Sequence, residues 1–394
     1  MNSLSPTETG PPVRFFTQAP SFERRWPDIR RHLNALVDRG KYSHGRQVVE
    51  LERALAAYTG ARHVLAVNSG TDALVLLLRA VGMRPGDEVV VPAFSFVASA
   101  SSVALARATP VFGDIDPESY SLDPDSAEAA VTESTSAIMP VHLFWQLADL
   151  DRLGELASRR GLTLVEDSAE AIGMRWGGVH GGLLGRGGVL SFFPMKTLGA
   201  LGDAGAIITN DDTVAELAGI LRHHGRMGRT TDHIAGISNL SGASGTNSKM
   251  DDVQACVLLG KLPYLDGDIA RRAQLADAYT ERLRSVPGVL RLPTVVKREV
   301  EAAPVFYVYL IEVERRDELV AHLTRHGIGT EVYYPSPLHL QPCFAELGYR
   351  RGDFPHAEAA CDHAVALPFH HDLDESEMDR VCDVISDFYT GRPA

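Results

Sequence analysis

The chain has 394 residues, a formal net charge of −13 and 45% hydrophobic content. That length exceeds one small core and predicts two or more domains, while the acidity argues against a broad electrostatic footprint for nucleic acid. No run approaches the ~18 apolar residues of a membrane span, the N-terminus lacks the apolar stretch of a signal peptide, and Cys256, Cys343, Cys361 and Cys382 form no closely spaced pair. The expectation is a cytoplasmic protein with no membrane partner, no disulfide scaffold and no metal site.

From about residue 46 to 210, short apolar runs alternate with helical patterns. His63–Val67 reads as a strand and Asp72–Ala80 as a helix. After the turn Pro85-Gly86-Asp87 come a strand over Glu88–Val91, a helix over Phe96–Ala106 and a strand over Thr109–Phe112. Ala137–Pro140 and Leu162–Val165 read as strands on either side of a helix over Asp149–Arg160. Strands separated by helices at this spacing predict right-handed βαβ units and a mostly parallel sheet, with ligands at the carboxyl ends of its strands. Further on, the spacing predicts a long helix over roughly Met250–Val286, a strand over Val305–Val313, and helices over Asp317–His326 and Glu375–Tyr389. This is an α/β fold: a large domain with an N-terminal arm over 1–265 and a smaller C-terminal α+β domain over 266–394, hinged on the long helix.

Three segments carry candidate chemistry. Asn68-Ser69-Gly70-Thr71 lies between strand and helix, where a glycine lets backbone N–H groups approach an anion and the helix end adds partial positive charge. Taken alone it reads first as a capped turn. Val165-Glu166-Asp167-Ser168 closes a buried strand. An aspartate there suits a protonated pyridine nitrogen, or it is simply an acid complementing a helix dipole. Lys196 follows an apolar strand and enters a loop with Gly199, Gly202 and Gly205. Desolvation at such a place makes an amine nucleophilic. The chain has only five lysines against 33 arginines, and apolar residues flank this one. A phosphate cradle, a strand-end aspartate and a downstream lysine are together the parts of a pyridoxal-phosphate site.

With these in place, the chain resembles the DegT/DnrJ/EryC1/StrS sugar aminotransferases, fold type I pyridoxal-phosphate enzymes of the aspartate-aminotransferase-like group. The matching text is VNSGTDAL (67–74), PGDEVVVPAFSFVASA (85–100), PVFGDID (110–116), PVHL (140–143), VEDSAEAIG (165–173), SFFPMKTLGALGDAGA (191–206), LRHHG (221–225), NSKMDDVQA (247–255) and YYPSPLHLQPCF (333–344).

The resemblance implies roles residue by residue. Lys196 forms the Schiff base with pyridoxal 5′-phosphate and then shuttles a proton. Asp167 pairs with the pyridine nitrogen, and Phe96 stacks on the ring. Ser69, Gly70 and Thr71 hold the phosphate together with Ser191. Glu170 sits beside the phenolic oxygen. Asn247 reaches the phosphate of a neighbouring subunit, which implies a homodimer with shared active sites. Tyr42 lies where the family places residues near the site's mouth. Tyr334 and His339 either face the sugar or its pyrophosphate or pack within their loop, and Arg226 and Arg229 are candidates for the nucleotide phosphates or ordinary surface arginines.

The implied reaction takes the amino group of L-glutamate to a nucleotide-linked keto-6-deoxy sugar, with dTDP the expected nucleotide. Glu170 resembles members acting at carbon 4, whereas LGALGDAGA resembles members acting at carbon 3; carbon 4 is slightly favoured. Trp145 stands where the family has a glycine and is expected to pack, and His142 is expected to be a satisfied core residue. The Gly-, Ser- and Thr-rich loop over 226–246 lies in a region the family uses near the substrate. Two rival readings keep the fold: a sugar dehydratase, which the presence of Lys196 argues against, and a non-catalytic pyridoxal-phosphate-binding regulator.

Overall fold

Valine-rich strands and capped helices build the centre of the molecule. The computed structural model describes residues 11–43, 45–226 and 241–391. Helices α1 (Ala19–Arg39) and α2 (Arg46–Thr59) precede β1 (His63–Val67) and α3 (Gly70–Ala80). There follow β2 (Glu88–Pro92), α4 (Val97–Leu105), β3 (Thr109–Gly113), α5 (Pro124–Ala130), β4 (Thr135–Ile138), α6 (Leu150–Arg160) and β5 (Thr163–Leu164). A short hairpin, β6 (Arg175–Trp176) with β7 (Val179–His180), leads to β8 (Gly188–Ser191), β9 (Gly205–Thr209) and α7 (Asp212–Leu221).

Strands β3, β2, β4 and β5 pair in parallel in that order, and β9 pairs antiparallel with β1 on one side and β8 on the other. A parallel bridge between Glu166 and Gly188 joins the two groups. The sheet therefore runs β3-β2-β4-β5-β8-β9-β1, and among the described residues only β9 is reversed. Val89, Val90 and Val91 are fully buried, as a strand covered on both faces requires. Each such side chain contributes about 1.5–3 kcal/mol of burial. Ser69 caps α3 by accepting from Asp72 N at 3.1 Å, and Asp149 caps α6 in the same way.

Two expectations change. The stretch read as one helix over Met250–Val286 is broken into α8 (Asp252–Lys261) and α9 (Leu265–Leu283), with a 3-10 turn at Leu262–Tyr264. Pro263 lies in that turn, and a proline cannot donate to a continuing helical ladder. The strand read over Val305–Val313 is shorter. After β10 (Val289–Arg291) and β11 (Ala302–Ala303), β12 covers only Tyr309–Val313. The amides of Val305 and Tyr307 instead donate to the carbonyls of Trp145 and Phe144, at 3.1 and 2.7 Å.

The chain ends with α10 (Arg316–Arg325), α11 (Pro355–His363), β13 (Ala364–Leu367) and α12 (Glu375–Thr390). Strands β10, β12 and β13 form an antiparallel sheet, whose apolar side packs with residues of α9, α10 and α12. A capping box between Asp374 and Glu377 starts α12. Strand β11 returns to pair with β6. Among the described residues no helix is long and apolar enough to cross a membrane.

Candidate active site

The carboxyl ends of the central strands open onto a cavity of about 460 Å³. Ser69, Gly70, Thr71, Phe96, Asp167, Glu170, Ser191, Lys196 and Tyr334 all line it. Sequence reasoning had singled out each of these.

One wall is the N-terminus of α3. The amides of Gly70 and Thr71 precede the first intrahelical acceptor, so the helix itself leaves them free to bind an anion. Gly205 on β9 permits this approach: a Cβ there would lie 2.5 Å from the Ser69 carbonyl carbon and 2.7 Å from Gly70 N. Ser191 faces the same helix end, its Oγ 3.2 Å from where a Cβ on Gly70 would stand. The amide of Phe193 donates to Ser191 Oγ at 3.4 Å, leaving the hydroxyl proton for a ligand.

Beyond β5 the alternation of the strand turns two neighbouring carboxylates to opposite sides. Asp167 lines the cavity; Glu166 is fully buried. Ser99 Oγ donates to Asp167 Oδ2 at 2.7 Å. That commits the Ser99 proton, so in the 2.7 Å contact with Ser95 the donor is Ser95. Burial pushes the Asp167 carboxyl above the usual aspartate range, with the Ser99 bond opposing. No cation of the described residues stands within ion-pairing distance of it.

Glu166 accepts from His142 Nε2 at 2.9 Å and from the amides of Gly182, Leu184 and Gly185 at 2.7, 2.8 and 2.7 Å. His142 Nδ1 accepts from Ala148 N at 3.2 Å, which puts the ring proton on Nε2. His142 is thus the satisfied core histidine that was expected. Burial pushes the Glu166 carboxyl up, but the His142 bond and the backbone amides outweigh it, and the net displacement is downward. Its contribution to stability is therefore present above the ordinary carboxylate range and is lost as pH falls through the folded value. Replacing Glu166 by Ala leaves four donors, two of them buried, without their acceptor. We expect a loss of about 3–5 kcal/mol, read from the urea midpoint of the cofactor-free protein. A change of only about 0.5 kcal/mol, that of a surface substitution, contradicts the assignment.

Lys196 sits in a tight loop in which its own amide donates to Phe193 O at 2.8 Å. Its Nζ donates to Glu170 Oε1 at 2.9 Å and lies 4.2 Å from the centroid of the Tyr307 ring. The other Glu170 oxygen accepts from Phe144 N at 2.9 Å, so the carboxylate that meets the lysine is itself fixed. Phe96, more than half exposed, presents its ring at the mouth, 6.3 Å from Tyr334. Tyr307 and Tyr333 complete the wall.

The remaining assignments fall elsewhere. His339 is 2% exposed, bonds Glu358 at 3.2 Å, packs edge-on to Phe354, and does not line the cavity, as the loop-packing reading expects. Its apolar neighbours Leu338 and Phe354 draw the ring inward. Tyr42 and Asn247 are exposed and Arg226 contacts His223 at 3.2 Å; none of the three lines this cavity. Arg229 and most of the 226–246 loop lie outside the described residues. Trp145 packs as expected, 1% exposed, stacked on Phe306 and donating to Thr294 O. Sequence reasoning missed Ser95, Ser99, Tyr307 and Tyr333 and gave Glu166 no role. The i, i+4 spacing of Ser95 and Ser99 was a readable signal; Tyr307 gave none.

These groups fit pyridoxal phosphate. An anion cradle stands at α3, a buried carboxyl has no ion-pair partner among the described residues, an aromatic face is exposed at the mouth, and an amine projects into the same space.

The DegT/DnrJ/EryC1/StrS aminotransferase family matches residues 26–386. The chain is 43% identical to a pleiotropic regulatory protein of Geobacillus stearothermophilus, covering 93% of this chain and 96% of that one. It is 36% identical to a dTDP-3-amino-3,4,6-trideoxy-alpha-D-glucose transaminase of Streptomyces venezuelae, over 96% of each. The crystal structure of S. venezuelae DesV superposes with a TM-score of 0.89 at 37% identity, covering 96% of this chain and 99% of that one.

Proposed function

The chain belongs to the DegT/DnrJ/EryC1/StrS aminotransferase family, and from that premise we propose that it moves the amino group of L-glutamate onto the keto carbon of a nucleotide-linked deoxysugar. The observation that carries this reading is the meeting of the α3 N-terminus, Asp167 and Lys196 around one cavity.

Pyridoxal phosphate, when bound, supplies an electron sink for the carbon that exchanges a proton. Lys196 is the amine that holds it and, once displaced by substrate, takes up and returns the proton at Nζ. Glu170 Oε1, 2.9 Å away, aims that nitrogen. Asp167, fixed by Ser99, keeps the pyridine nitrogen protonated. Gly70, Thr71 and Ser191 bind the phosphoryl group, and Phe96 covers the ring. Held in this way, the reacting atoms need no further search.

The reading includes a homodimer. Both substrates are anionic, yet among the described residues the cavity's only cationic lining group is Lys196. Asn247, Arg226 and Tyr42, unused by this chain's own cavity, are assigned to that of a second copy. We also read 1–265 and 266–394 as two domains closing on the site, the second contributing Tyr307, Tyr333 and Tyr334.

Carbon 3 of a dTDP-linked 6-deoxy sugar is the position we carry forward, because relatives spanning nearly the whole chain are named for 3-amino products. Glu170, by resemblance, supports carbon 4 as a second reading. Purified enzyme, L-glutamate and a panel of dTDP- and UDP-linked 3-keto and 4-keto sugars test the proposal. We expect 2-oxoglutarate and an amino sugar in equal amounts, with nitrogen at carbon 3. No 2-oxoglutarate with any sugar overturns transamination and favours the regulator suggested by the Geobacillus relative's name.

A further inference from the structure

We propose that Lys261 and Gln18 are positioning residues that brace the Lys196 loop from beneath; the proposal rests on the reading of Lys196 given above. Residues 194–199 form a closed bend. Ala200 N donates back to Phe192 O at 2.8 Å, and a Cβ on Gly199 would lie 2.2 Å from Pro194 O. The carbonyls at the two ends of the bend are each taken by a side chain from a distant part of the sequence. Gln18 Nε2 donates to Pro194 O, and Lys261 Nζ donates to Gly199 O. Lys261 Nζ also donates to Gln18 Oε1 at 2.6 Å. The two side chains therefore make one clamp, with Gln18 preceding α1 and Lys261 ending α8.

Stability alone does not account for a lysine here. Lys261 is only 4% exposed, and burying an ammonium costs more than burying an apolar side chain of similar size. Burial lowers its pKa to about 8, Arg25 acting the same way and Asp268 against it. Its hydrogen bonds nevertheless go to the loop and to the loop's other clamp. Other charged groups stand near the clamp without bonding to it. Arg25 pairs with Asp268 at 2.5 Å, and Arg272 donates to the carbonyl of Tyr307, a cavity-lining residue, at 2.8 Å. Nζ of Lys261 is held away from the cavity lining, so it is not a second reacting amine.

The test compares wild type, Lys261→Met, Lys261→Gln and Gln18→Ala. Hydrogen exchange of the cofactor-free protein is measured over residues 193–201, with Glu88–Pro92 as an internal control, and the glutamate half-reaction is followed in the loaded enzyme. Loss of a hydrogen bond from a charged donor predicts about ten-fold faster loop exchange in Lys261→Met, with the control strand unchanged. The half-reaction rate constant falls by a similar factor while half-saturation by glutamate stays put. Lys261→Gln, which retains a donor, recovers most of the loop protection. Unchanged exchange in Lys261→Met, identical behaviour of the Met and Gln variants, or acceleration spread equally to Glu88–Pro92 overturns the proposal. If Lys261→Met does not fold, Gln18→Ala, altered at a partly exposed position, gives the same comparison. Because exchange is read without cofactor, a failed assignment of Lys196 leaves this result interpretable on its own.

Discussion

Lys196→Ala is expected to yield a folded protein that, after incubation with pyridoxal phosphate, shows no lysine-dependent visible band and no turnover. Removing the proton transfer alone costs about 10²–10⁴-fold, and losing the covalent hold on the cofactor adds to it. The fold should survive, because the side chain meets Glu170 and the Tyr307 ring at the cavity wall. Glu170 keeps its bond from Phe144 N. Thermal unfolding of the cofactor-free variant provides the control. Wild-type absorbance and glutamate conversion in this variant contradict the assignment.

The second large effect is expected at Asp167. Asp167→Asn preserves size and an acceptor for Ser99 but removes the charge facing the cavity. We expect the glutamate half-reaction to slow by about 10²–10³-fold, the scale of losing one preorganised electrostatic group. The wild-type carboxyl is pushed up by burial, the Ser99 bond and the more distant Lys196 charge opposing, and has no ion-pair partner among the described residues. A protonated pyridine nitrogen supplies one. Cofactor affinity in the wild type should therefore be full where Asp167 is ionised and fall as pH drops through its raised value. The variant should lack that dependence. Cofactor titrations across acidic pH check both, and a variant slowed less than about three-fold, small beside such a group, contradicts the role.

What could be read from the sequence follows from how local each feature is. The cradle at Ser69–Thr71 is announced by a strand, a cap and a helix within a few residues. Asp167 and Lys196 each follow an apolar run that ends at the sheet's carboxyl edge. The helix over Ala19–Arg39 was not read because its buried face is Ser21, Arg25, Ile29 and Leu36; with two of four positions polar, hydrophobic periodicity is silent. Glu166 was passed over because a buried carboxylate is explained only by four donors, and three of these lie on the 182–185 backbone. Tyr307 joins the cavity of Lys196 after more than a hundred intervening residues, with no local motif, and Tyr333 lies in the matching 333–344 segment without any feature of its own that marks it. His339 shows the opposite limit: a histidine in a matching motif reads equally as a ligand-facing or a packing residue, and only the fold shows its ring against Phe354 and Glu358.

The central question is which amine holds the cofactor. Borohydride treatment of the wild-type protein loaded with pyridoxal phosphate, followed by peptide mapping, answers this directly. The prediction is a phosphopyridoxyl group on Lys196 alone among the five lysines. A label on Lys41, Lys249, Lys261 or Lys297 in its place, or no label at all, contradicts it.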